Sequence, residues 1–123
     1  MDKDKTLEAF WNSFDIPAYE EHSVPDKAEF PYITYNANTG VLGNTMTTYC
    51  DVWYRSPLWG AAIRKKDEIL QRILRNGSLT LPFDGGYIFI SDGSPLVQRV
   101  EDADDDMVKR FHLNFTAEYL CRY

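Results

Sequence analysis

The sequence predicts an α+β fold: one small domain spanning residues 1–123, with a mainly antiparallel β-sheet packed against two α-helices. Three observations carry this reading. Two stretches repeat apolar residues at helical spacing, several others alternate at the period of a strand, and 123 residues leave little room for a second core. A 15% aromatic content supplies the apolar area for that core, since Phe, Tyr and Trp bury more surface than other side chains.

The first helix is read from Leu7, Phe10, Trp11 and Phe14, spaced i, i+3, i+4 and i+7 along one face. Asp4 or Thr6 is expected to cap its start, and Ile16-Pro17 to end it. Residues 18–30 read as an irregular segment laid over the domain. Strand signals begin at Tyr32–Tyr35 and return at Met46–Arg55, separated by a turn-rich loop, Asn36–Asn44, longer than a tight hairpin needs. Within the second strand Thr48, Cys50, Val52 and Tyr54 share one face, and Tyr49 and Trp53 the other. Apolar groups on both faces imply a core on one side and a helix, strand or partner subunit on the other.

The second helix is expected to start at Ser56-Pro57 and to carry Trp59, Ala62, Ile63, Ile69, Leu70, Ile73 and Leu74 inward. Asn76-Gly77 supplies its stop. The last third reads as β: a short segment at Leu79–Phe83, an Asp84-Gly85-Gly86 turn, and a hairpin of Tyr87–Ser91 with Leu96–Glu101 about Asp92–Pro95. The final strand, Val108–Tyr119, puts Phe111, Leu113, Phe115, Ala117 and Tyr119 on the core side, and Arg110, His112, Asn114, Thr116 and Glu118 on a polar side.

Charge narrows the function classes. Thirteen basic against nineteen acidic residues give −6, and the basic ones are scattered, so a grip on phosphate backbones is disfavoured. Tyr49, Trp53 and Tyr54 could stack on bases only beside an electropositive track, which is missing. His22 and His112 stand in unrelated contexts without partners at ligand or nucleophile spacing, so neither metal nor catalytic role is expected. Cys50 and Cys121 fit no metal spacing and read as free thiols. The glycine turns open no helix and match no phosphate-binding fingerprint, and Asp104–Asp106 lack the spacing of a calcium loop. No enzyme and no cofactor emerges. No apolar run approaches the roughly 20 residues of a membrane span, and Met1–Lys5 is not followed by a signal-peptide core, which points to a protein made and folded in the cytoplasm.

Several segments carry a family resemblance. Phe10–Tyr19, Val24-Pro25 and Phe30–Tyr35 come first; Val52–Ser56 running into the second helix, and Phe111–Tyr119, complete the set. In order and character they resemble small proteins of the head–tail gene cluster of long-tailed bacteriophages, above all the tail terminator (tail completion) proteins. That resemblance implies a ring, usually of six copies, that caps the tail tube, ends its polymerisation and presents a surface to the head connector proteins. Such a protein sits in the virion at the head-proximal end of the tail, meets the major tail tube protein, and lets DNA pass without specific binding. It brings no active site. On physical grounds Val41 and Leu42 of the long loop, with Tyr49 and Trp53, are expected at a subunit or tube interface. Asp102, Asp104, Asp105 and Asp106, in a run where five of six residues are acidic, are expected to line or rim the channel or form an outer acidic turn. The alternatives are a head-closure or neck connector protein of the same particle, and a small cytoplasmic module binding peptide at a sheet edge.

Overall fold

The computed structural model describes residues 2–37 and 45–121. It confirms the α+β reading: six strands form one sheet in the order β1-β2-β3-β6-β5-β4, with two α-helices against it. The elements are α1 (Lys3–Trp11), β1 (Ala18–Glu20), β2 (Tyr32–Tyr35), β3 (Thr45–Arg55), α2 (Gly60–Leu74), β4 (Ser78–Phe83), β5 (Gly86–Glu101) and β6 (Val108–Cys121). Among the described residues only β1 and β2 run parallel; every other neighbouring pair is antiparallel.

Strand alternation places the core on one side of the sheet. Ile33, Cys50, Val52, Ile88, Ile90, Leu113, Phe115 and Tyr119 are buried, and α1 and α2 cover them with Leu7, Phe10, Trp11, Ala62, Ile69 and Ile73. Phe14, in a short 3-10 turn after α1, is sealed at the centre. Each fully buried aliphatic or aromatic side chain stabilises the fold by about 1.5–3 kcal/mol. The rings add geometry: Phe10 meets Trp11 and Phe14 edge-on, and Trp11 stacks on Tyr35. Lys65 ties α2 to the turn after α1 by donating from Nζ to the carbonyl of Phe14 at 2.6 Å.

Four sequence expectations need correction. The cap of α1 is Asp2, whose carboxylate accepts from Lys5 N at 2.8 Å; Asp4 lies inside the first turn, and Thr6 is buried with an unpartnered hydroxyl. Ser56 does not start α2. Its N–H bonds Met107 O, extending the β3–β6 end, and its hydroxyl accepts from Leu58 N in a local turn, so the helix begins at Gly60. Residues 18–30 are not wholly irregular, because Ala18–Glu20 pairs with Ile33–Tyr35. The outward N–H and C=O of Ala18 are taken by the Asn12 side-chain amide, at 3.0 and 3.2 Å, which substitutes for a further strand.

The fourth correction concerns Asp92–Pro95, which is no hairpin turn. Gly86–Glu101 is one sixteen-residue strand, and both halves pair with β6; the register shifts between Asp92 and Val97. Four residues, 93–96, therefore bulge against Asn114, whose amide donates to the carbonyl of Pro95 at 2.9 Å. Gly93 makes the bulge feasible, because a Cβ there would lie 2.7 Å from the Asn114 backbone. The stop of α2 holds as expected, with Gly77 at φ +89° donating to Leu74 O. Gly93→Ala should lower stability by about 1–3 kcal/mol, the usual cost of overpacking, read as a lower urea midpoint with an unchanged slope.

Candidate functional site

The helices leave the other side of the sheet uncovered, and that outer face holds the organised polar chemistry of the molecule. The β3–β6 register sets Asp51 opposite His112, Trp53 opposite Arg110 and Tyr49 opposite Asn114. Asp51 is 5% exposed although it belongs to the outer face. A buried carboxylate is tolerated only when paired, and here Arg110 Nε donates to Oδ1 at 3.0 Å while His112 Nδ1 lies 2.8 Å from the same oxygen. His112 Nε2 lies 3.0 Å from Asn114 Oδ1, so both ring nitrogens are engaged. The ring of Tyr49 packs against His112, centroids 5.1 Å apart, and its hydroxyl donates to the Glu21 carboxylate at 2.6 Å.

Beside this network the rings are ordered. Trp53 stacks with Tyr32 at 6.0 Å and 21°, carries the Arg110 guanidinium 4.3 Å from its centroid, and donates from Nε1 to Thr34 Oγ1 at 2.9 Å. Phe30 and Tyr19 flank Tyr32. Tyr49 and Trp53 thus lie on the open face as expected from the strand pattern, half-buried and braced by their own chain. The other two residues expected at an interface, Val41 and Leu42, lie outside the described residues. A pocket of about 290 Å³ opens next to Trp53, at the turn that joins β5 to β6.

The acidic run forms the turn between β5 and β6, and it is not a uniform patch. Asp102, Asp104 and Asp106 are exposed, whereas Asp105 pairs with Arg55 and accepts from Met107 N. The hydrogen bond from Arg55 chiefly holds the Asp105 carboxyl below its ordinary range. Lys109 closes the turn from inside by donating to the carbonyl of Asp106.

His22 stands apart, on the segment after β1. Glu20, Glu21 and His22, adjacent in sequence, bring potential ligand atoms within 4.8 Å of one another. Hydrogen bonds account for the cluster: Glu20 accepts from the His22 backbone and ring at 3.0 and 2.7 Å. The ring bond to Glu20 raises the His22 pKa. Partial burial works to raise Glu20, and the hydrogen bonds from His22 together outweigh it and lower that carboxyl. Cys50 is buried, and burial pushes its thiol well up, so it is inert as a nucleophile. Among the described residues no serine, cysteine or threonine stands by either histidine in nucleophile–base geometry.

The sequence matches no family model and no curated protein. Among the described residues, no helix is long and apolar enough to cross a membrane.

Two measurements test this geometry. Asp51→Ala leaves Arg110 and His112 half-buried without their anion and should cost about 1–3 kcal/mol, with Asp51→Asn costing less because an acceptor remains; urea unfolding reads both. The His22 ring should titrate above 6.5 by NMR and fall back in Glu20→Gln. Since the folded His22 pKa is raised and the folded Glu20 pKa lowered, the contribution of this pair is greatest between the two ranges, fades as pH climbs through the His22 value, and fades again as pH falls through the Glu20 value.

Proposed function

We propose that the protein is a structural virion component of the tail-terminator kind, acting as an oligomeric ring that caps the tail tube, ends its polymerisation and offers the surface for head attachment. One observation supports this reading beyond the resemblance of segments. Among the described residues no helix covers the outer sheet face, and its rings and charges are braced in fixed positions, as a docking surface requires. Preordered aromatic and guanidinium groups lose little freedom on contact, and such groups carry most of the energy at protein interfaces. No bond is made or broken in this function, and the engaged histidines suit it. DNA passes the ring without being held, which fits the net charge of −6.

A second reading has one observation in its favour. The Leu96–Glu101 half of β5 pairs only with β6, so among the described residues its other edge is free to accept an extended peptide. The β1 edge, by contrast, is blocked by Asn12.

Electron microscopy of particles assembled without the protein separates these possibilities. Overlong tails detached from heads are expected. Leaking heads beside tails of normal length would assign it to neck closure instead, and normal virions would remove it from assembly altogether.

A further inference from the structure

We infer that the open margin of β5 pairs with the same margin of a second copy, antiparallel about a twofold axis through Val100, so that Arg99 of each copy lies against Glu101 of the other. The contact goes beyond the ring reading and does not depend on it.

The strand ladder decides which backbone groups this margin offers. Ser91 is the last residue of β5 matched by β4, and among the described residues no other strand lies along that side beyond it. Ser56 N–H bonds Met107 O, so the odd-numbered residues of β6 turn their N–H and C=O toward β3 and the even-numbered ones turn theirs toward β5. His112 and Arg110 are thereby bonded to Gln98 and Val100. Arg99 and Glu101, lying between and beyond these, direct their N–H and C=O away from β6, along the open margin.

The side chains of Arg99 and Glu101 share the helix side of the sheet, since their partners in the register are Phe111 and Lys109. Both are exposed, and among the described residues neither forms an ion pair. The Arg99 guanidinium lies over Trp59, 4.2 Å from the ring centroid. Stacking occupies the face of the guanidinium and leaves its N–H edge for a carboxylate.

Charge selects both the occupant and the register. Isolated charges on an edge strand discourage pairing. Opposite charges two residues apart on one side are instead complementary to their own reversed copy. Only residues with outward backbone groups can face one another, so the twofold axis must pass through a residue of the strand. On Arg99 or on Glu101 it sets like charge against like. On Gln98 it sets Arg99 against Val97 and brings the bulge at residues 93–96 onto the second copy. On Val100 it sets Arg99 against Glu101 in both directions, each pair exchanging its backbone hydrogen bonds. The same register brings Gln98 across from the exposed Asp102 of the second copy. Gln98 accepts from Asn114 through Oε1 at 3.2 Å, which leaves its amide NH2 to donate there.

Sedimentation and amide hydrogen exchange of the full chain test this. With rising concentration the chain should associate in pairs, and the amides of Arg99 and Glu101 should gain protection in step, while those of Gln98 and Val100 are protected throughout. Arg99→Glu or Glu101→Arg alone sets like charges opposite each other twice and should weaken association by about tenfold or more. The chain carrying both exchanges should regain it. Circular dichroism checks that each variant is folded. Arg99→Pro removes an outward N–H that the β6 ladder does not use, and should give a folded chain that no longer pairs. A chain that stays monomeric at every concentration overturns the contact. So does association that leaves the Arg99 and Glu101 amides open, that ignores the single exchanges, or that the double exchange fails to restore. Protection of those amides only in the presence of purified tail tubes would give the margin to another protein and overturn the contact as well. None of these outcomes touches the ring reading.

Discussion

The pairing of β3 with β6 is the constraint from which the rest of the structure follows. Eleven residues of each strand are matched, from Thr45 with Glu118 to Arg55 with Val108. This ladder decides which side chains face the helices and which face outward. On the inner side Cys50 and Val52 meet Leu113 and Phe111, all buried. On the outer side the same register delivers Asp51 to His112 and Trp53 to Arg110. A slip by one residue would exchange the two sets, placing a carboxylate and a guanidinium in the core. The outer polar pairs and the inner apolar ones thus specify one register together.

Much of the architecture was legible because its periods are local properties. The stripe Leu7–Phe14 and the alternation of Val108–Tyr119 each follow from one segment burying one face. Asn76-Gly77 stops a helix by its own backbone preference. What escaped depends on neighbours distant in sequence. Ala18-Tyr19-Glu20 is too short to show alternation and is a strand only because Ile33–Tyr35 lies alongside. Asp92-Gly93-Ser94-Pro95 has the chemistry of a turn, yet β6 is long enough to pair on both sides of it, so the chain bulges and continues.

The outer face shows the same division. Its residues could be assigned to a face one strand at a time, and Tyr49 and Trp53 were placed correctly. The importance of Asp51 was missed. A lone carboxylate between Cys50 and Val52 is a signal in itself, since its neighbours mark the strand as central, but its partners cannot be named until β3 and β6 are aligned. The acidic turn likewise read as a single block of charge, because the pairing of Arg55 with Asp105 spans fifty residues.

The Asn12 amide has a consequence for how large an assembly of these molecules can grow. Sheets that recruit further chains without limit need two receptive margins, one for each newcomer to join and one for it to offer onward. Here the first strand's margin is sealed by the side chain that caps the end of the molecule's own N-terminal helix. A foreign strand joining the opposite margin could not be followed by an endless series through the sealed one. Growth by sheet extension is therefore closed off at the first strand, where Ala18 has no outward backbone group left to offer.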